Sequence, residues 1–183
     1  MPLYFAYGSN MDRAAMARRC PASTAVGLAR LARHRLFIMR EGYASVVRDP
    51  RRDCIGLLWH LALADMPALD RYEGVGGGLY VKAHLPVLTV AGSRRALVYL
   101  GRDAGPGVPR PGYLEAVLLA AREAGLPPAY LAELARLGPR AAGGASPAFA
   151  AVGEVRRPAV TPRHASPLGT DLRPPHRIAP WKP

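Results

Sequence analysis

The run Tyr4-Phe5-Ala6-Tyr7-Gly8-Ser9-Asn10-Met11 constrains the fold more than any other stretch of this chain. An aromatic and apolar segment, Leu3 to Ala6, gives way within a few residues to Gly-Ser-Asn, and apolar spacing typical of a helix follows at once. The pattern predicts a buried strand that delivers a short, donor-rich loop to a helix N-terminus. Backbone N–H groups at a helix start lack partners and attract anions or developing negative charge. Gly8 permits close backbone approach, and Ser9 or Asn10 can cap the helix while facing a ligand. The same grammar also serves purely structural turns, so it marks a candidate binding loop and no more.

Further along, the sequence predicts a helix over Met11 to Arg19, ended by Cys20-Pro21, then strands at Thr24–Leu31, His34–Met39 and Tyr43–Arg48. Asp49-Pro50-Arg51-Arg52-Asp53 reads as a turn. Ile55 to Leu61, an apolar run containing Trp59, reads as a central strand. Asp65 is the expected N-cap of a short helix, with Pro67 in its first turn and Met66, Leu69 and Tyr72 facing inward; the helix stops at Glu73-Gly74. Gly76-Gly77-Gly78 is a loop. Tyr80–Val90 and Arg94–Leu100 form a hairpin about Ala91-Gly92-Ser93. After a loop at Pro106–Pro111, an amphipathic helix spans Tyr113 to Ala124 and is closed by Gly125, and a second runs from Ala129 to Leu137.

The 183 residues suffice for one domain with a real core, expected over 1–138, plus an extension over 139–183. The extension is dominated by Pro, Gly and Ala and supplies +5 of the net charge of +12. It reads equally as an extended or partly disordered arm and as a docking arm for a second subunit, giving a homodimer, with Ile178 and Trp181 as anchors. The rest of the positive charge is spread out, its arginine pairs Arg18-Arg19, Arg51-Arg52 and Arg94-Arg95 isolated from one another and without an aromatic-basic platform, so nucleic-acid binding is not expected. No apolar run is long enough to cross a bilayer, and Met1-Pro2 leads straight into a strand without the features of a signal peptide. A cytoplasmic location is expected, with Cys20 and Cys54 as ordinary thiols.

Glu73 stands out by position. It ends a helix, where unpaired carbonyls create a negative field, and Leu69, Val75 and Leu79 surround it in sequence. Both effects favour the protonated form, and a carboxyl tuned this way can serve as base in one step and acid in the next. The competing reading is an exposed glutamate at a helix end. Other chemistries lack their signatures. His34, His60, His84, His164 and His176 never fall at ligand spacing, so no zinc is expected. Ser9 has no Gly-x-Ser-x-Gly elbow, and Gly74 to Gly78 lacks the Lys-Ser/Thr of a phosphate loop.

Taken in order, Tyr4-Phe5-Ala6-Tyr7-Gly8-Ser9-Asn10, Ile55-Gly56-Leu57-Leu58-Trp59, Leu69-Asp70-Arg71-Tyr72-Glu73-Gly74-Val75 with Gly78-Leu79-Tyr80, Leu97-Val98-Tyr99-Leu100, Pro111-Gly112-Tyr113 and Gly125-Leu126-Pro127-Pro128-Ala129-Tyr130 resemble the gamma-glutamylcyclotransferase (AIG2-like) family over residues 3 to 137. The chain departs from that pattern in the Gly76-Gly77-Gly78 loop and the long Arg/Pro extension. The resemblance implies an α+β fold, a mixed sheet or small β-barrel with flanking helices. It implies a ring-closing reaction on a small gamma-glutamyl substrate, releasing 5-oxoproline without metal or cofactor. Glu73 would be the catalytic acid/base. The segment Tyr4, Phe5, Ala6, Tyr7, Gly8, Ser9 and Asn10, with Tyr80 and Tyr113, would bind substrate; for Tyr99 packing is the expected role. The tetrad Tyr7-Gly8-Ser9-Asn10 resembles the gamma-glutamyl-amino-acid branch, since the gamma-glutamylamine branch has Tyr-Gly-Thr-Leu and the glutathione-specific branch Tyr-Gly-Ser-Leu. A non-catalytic ligand-binding or interaction protein on the same fold is the alternative.

Overall fold

Long runs that alternate inward and outward side chains build the frame of this molecule. The computed structural model describes residues 1–138; the extension, with Ile178 and Trp181, lies outside the described residues. Five strands close a barrel in the order β1-β3-β2-β4-β5: β1 (Leu3–Ala6), β2 (Thr24–Ile38), β3 (Ala44–His60), β4 (Tyr80–Thr89) and β5 (Gly92–Gly101). The short β1 pairs antiparallel with β3 from Leu3↔His60 to Ala6↔Leu57. It meets β5 in parallel at Tyr4↔Leu97, and Arg30↔Leu88 joins β2 to β4. Phe5, Leu57, Leu58, Leu97 and Val98 fill the interior. The mixed barrel with flanking helices is the architecture expected from the sequence.

Several boundaries differ from the sequence reading, α1 among them, which starts at Arg13 and not at Met11. The strands expected at 24–31 and 34–39 are one strand, β2, and those at 43–48 and 55–61 are one strand, β3. The expected turn at 49–53 is a bulge inside β3. The ladder steps from Ala32↔Asp53 to His34↔Arg48, so residues 49–52 swell outward opposite Arg33, which takes a left-handed φ of 58°. Pro50 has no N–H for the ladder, and a bulge is where a strand tolerates that. Asp53 fastens the distortion, accepting from the Arg33 N–H at 2.9 Å and from Arg30 Nη1 at 2.7 Å. In the second hairpin Thr89 pairs with Gly92, so Gly92 and Ser93 belong to β5 and the turn is Val90-Ala91.

The helices are α1 (Arg13–Arg19), α2 (Met66–Tyr72), α3 (Tyr113–Glu123) and α4 (Pro128–Ala135). Helix α3 buries Tyr113, Leu114, Val117, Ala120 and Ala121 and packs over the three-ten turn Ser9–Met11. No described helix is long and apolar enough to cross a membrane.

Both cysteines are free and buried. Burial, then the charge of Asp65, pushes the Cys20 thiol up to about 11; burial pushes Cys54 up to about 12, against a hydrogen bond from Tyr130. Thiolate is the reactive form, so the native protein is expected to resist alkylation at pH 8 and to react after denaturation, as intact mass will show. The unfolded thiols ionise near their ordinary 9.0. The folded state therefore keeps these protons longer, and their contribution to stability is full below pH 9. It is lost as pH rises from 9 through 12. A Tm that falls across that window, less steeply in Cys54→Ala, is the expected result.

Candidate functional site

The turn that follows strand β1 meets the end of helix α2, and the site lies there. β1 leaves the barrel at Ala6, and Tyr7-Gly8 leads into the three-ten turn Ser9–Met11, whose first N–H groups have no acceptor within the turn. Helix α2 stops because Gly74 takes a φ of 64°, letting the Val75 N–H reach the Asp70 carbonyl at 3.0 Å and the Gly74 N–H the Arg71 carbonyl at 3.1 Å. Glu73 is thereby left as the C-cap, its own N–H on the Leu69 carbonyl at 2.9 Å. At 4% exposure Glu73 is buried, which decides against the exposed helix-end glutamate.

Asn10 connects the two elements. Its Nδ2 donates to Glu73 Oε1 at 2.7 Å and to the Tyr4 hydroxyl at 2.8 Å. Ser9 Oγ lies 3.0 Å from the Tyr72 hydroxyl. Ser9 and Asn10 therefore do not cap a helix, contrary to the sequence reading. Asp12 does so for α1, its Oδ1 accepting from the Ala15 N–H at 3.0 Å. Asp65 likewise makes no capping bond to α2; its carboxylate accepts from the Ala22 N–H and the Ser23 hydroxyl and so pins the turn after α1. In both cases a side chain was assigned to the nearest helix start although a partner distant in sequence holds it.

Glu73 and Asn10 stand on the wall of a cleft. Tyr4, Tyr7, Tyr80 and Tyr113 line it, with Gly8 and Ser9 at the opening turn. Phe5 and Ala6 do not line it: both are core residues at 0% and 1% exposure, and Phe5 packs under Gly56. Two residues of the lining were missed. Tyr99, assigned to packing, reaches the cleft edge-on to Tyr4, with ring centroids 5.6 Å apart. Ala44 reaches it because its two backbone groups are held by tyrosines, its N–H on the Tyr113 hydroxyl at 3.1 Å and its carbonyl accepting from Tyr80 at 2.6 Å. Alternation puts Tyr99 on the face of Leu97, but its relevance depends on β5 adjoining β1, which no local pattern reports.

Three of the phenol protons are committed to acceptors within the protein. Tyr7 donates to the Tyr99 carbonyl, Tyr80 to the Ala44 carbonyl, and Tyr99 to Asp70 Oδ1 at 2.6 Å; Asp70 also takes Lys82 Nζ at 2.8 Å. Burial first, then Tyr80 and Glu73, raises Tyr7 well above the usual phenol range. Tyr99 is raised by burial and then by its bond to Asp70. A phenol whose single proton is committed offers a ligand its lone pairs and ring face. Among the described residues no three His, Cys, Asp or Glu side chains group to hold a metal ion.

Residues 53–134 match the model of the AIG2-like family. The chain is 30% identical to mouse gamma-glutamylcyclotransferase over 150 residues, covering 75% of this chain and 79% of the mouse protein. A solved gamma-glutamyl cyclotransferase superposes with a TM-score of 0.70 at 27% identity, over 79% of this chain and 93% of the other. An uncharacterized human protein superposes with a TM-score of 0.69 at 28% identity, over 79% and 92%. Likeness of sequence and likeness of fold converge on one conclusion: the chain belongs to the gamma-glutamylcyclotransferase family and is an enzyme of that type.

Proposed function

We propose that this protein closes the ring of a gamma-glutamyl substrate, releasing 5-oxoproline and an amine or amino acid, with Glu73 as the general acid/base. The observation that carries this reading is the buried Glu73 carboxyl, held by Asn10 of the opening turn on the wall of a cleft. The substrate's alpha-amine, once deprotonated, attacks its own gamma-carbonyl carbon. A carbon–nitrogen bond forms to the alpha-nitrogen, and the bond to the leaving nitrogen breaks. Glu73 takes a proton from the attacking nitrogen and returns one to the departing nitrogen, so the carboxylate is regenerated. Nucleophile and electrophile belong to one molecule, and holding it in an attack geometry supplies much of the acceleration. The step as written calls for no cofactor.

The tyrosines suit the amine end. Tyr7 and Tyr99 have given their protons elsewhere, so their lone pairs and ring faces suit an ammonium. The amides that open the three-ten turn suit the carbonyl oxygen that gains charge as the ring closes. Gly8 matters here for space. A Cβ at that position would lie 3.1 Å from the Tyr113 hydroxyl and 3.6 Å from the Ala44 Cβ. Gly8→Ala is expected to lower kcat/KM by roughly tenfold or more, because small displacements of a positioned group cost that much; steady-state kinetics beside a melting curve checks it.

The reaction is tested by incubating the purified protein with gamma-glutamyl dipeptides and gamma-glutamylamines and assaying 5-oxoproline. Release by the wild type, abolished in Glu73→Gln, is expected. Tight ligand binding with no product from any of them would overturn the proposal in favour of a binding protein.

A further inference from the structure

Arg19 is absent from the cleft wall but touches Asn10, which donates to Glu73, and Tyr72, which precedes Glu73 in the chain. Its guanidinium carbon stands 3.3 Å over the centroid of the Tyr72 ring. Its Nη1 donates to Asn10 Oδ1 at 2.5 Å and lies 3.9 Å from Met16 Sδ. The contacts run in step: Ser9 meets Tyr72, Asn10 meets Glu73, and Arg19 spans Asn10 and Tyr72.

A primary amide has one end that accepts and one that donates, and the chain itself does not choose between them. A guanidinium has donors alone and stays charged at every working pH. With Arg19 in place the Asn10 oxygen must face it, and the nitrogen must face Glu73 Oε1 and the Tyr4 hydroxyl. A flipped amide would give up its donations to Glu73 and to the Tyr4 hydroxyl, and would turn two donors onto a cation.

We propose that Arg19 is a positioning residue: by holding the Asn10 oxygen it makes the amide nitrogen a permanent donor to Glu73, and by stacking on Tyr72 it ties the opening turn to the end of α2. Its effect on turnover rests on the ring-closing reaction; its effect on Asn10 and Glu73 does not. The simpler role for a cation in the last turn of α1 is to offset the helix dipole. Arg18 shares that turn, is exposed, and serves as the control.

The test is NMR of protein labelled in the Asn and Glu side chains, in wild type, Arg19→Ala, Arg19→Gln and Arg18→Ala, with Glu73→Gln to assign the carboxyl. Tyr4, Tyr7, Tyr80, Tyr99 and Tyr113 share the cleft wall with Glu73, and Asp70 stands behind Tyr99, paired with Lys82. None of these is altered in the variants. In Arg19→Ala the Asn10 amide protons are expected to lose their separation and exchange protection, and Glu73 to titrate about one unit higher, since a carboxylate loses its fixed donor. Arg18→Ala is expected to change neither. In an active enzyme the acid limb of kcat moves upward by the same amount while KM stays near its wild-type value. If Arg19→Ala does not fold, Arg19→Gln carries the measurement, its amide being free to turn either way. Unchanged Asn10 and Glu73 signals in a folded Arg19 variant overturn the proposal, as does an equal shift in Arg18→Ala. A wild type without 5-oxoproline release sinks the reaction and leaves the NMR result to decide Arg19.

Discussion

Glu73→Gln is expected to lower kcat for 5-oxoproline release by roughly a thousandfold with little change in KM, in line with the ~10²–10⁴ that a positioned acid/base contributes. The substitution keeps the shape of the side chain. Gln retains an oxygen that can accept from Asn10 Nδ2, so the 2.7 Å contact between the opening turn and α2 survives. What disappears is the group that takes and returns a proton. An equal loss in kcat and kcat/KM is the signature of an interaction made in the transition state. The remaining rate reports what the cleft contributes by orienting the substrate. A loss below about tenfold, in a variant that melts like the wild type, would remove Glu73 from the chemistry.

Gly56→Ala should be the most damaging small substitution in the frame. Gly56 sits in β3, paired with Ala29 of β2 and packed beneath β1. A Cβ there would lie 2.2 Å from the Ala6 carbonyl oxygen and 3.0 Å from Phe5 Cζ. The first of these atoms is backbone, so no rotamer change relieves the clash, and β1 must move. Overpacking of this kind costs ~1–3 kcal/mol and sometimes more; at this contact we expect about 3 kcal/mol, a fall of roughly 10 °C in Tm for a domain of this size. Because β1 ends in the turn that carries Ser9 and Asn10, activity should fall further than the loss of folded protein explains. Thermal melts and kinetics on the soluble fraction, compared with Gly76→Ala as a control where a Cβ meets nothing within 4 Å, check both parts.

Where a local pattern carried enough information, the sequence could be read correctly. The sharp passage from Tyr4-Phe5-Ala6 to Gly8-Ser9-Asn10 marks β1 and the turn beyond it, and the stop at Glu73-Gly74 marks the end of α2. Motif likeness brought Tyr80 and Tyr113 to the cleft. The failures share a physical cause, since each depends on a partner far along the chain. Nothing near Asp65 announces Ala22 and Ser23, and nothing near Tyr99 announces Tyr4. Pro50 and its charged neighbours look like a turn because a bulge and a turn use the same residues; the ladder that resumes on either side is visible when β2 lies alongside. Phe5 and Ala6 entered the candidate site because they sit between residues that face the cleft, although their own side chains complete the interior.

The cap at Asp12 has an evolutionary consequence. One residue fastens helix α1, and Ser9 and Asn10, three and two residues before it, spend their side chains on Tyr72 and Glu73. Anchorage of the helix and lining of the cleft are thus divided between separate codons. A lineage that alters Ser9 does not unfasten the scaffold, and one that trades Asp12 for another cap leaves the cleft contacts of Ser9 and Asn10 in place. That separation gives mutation two independent handles within four consecutive residues.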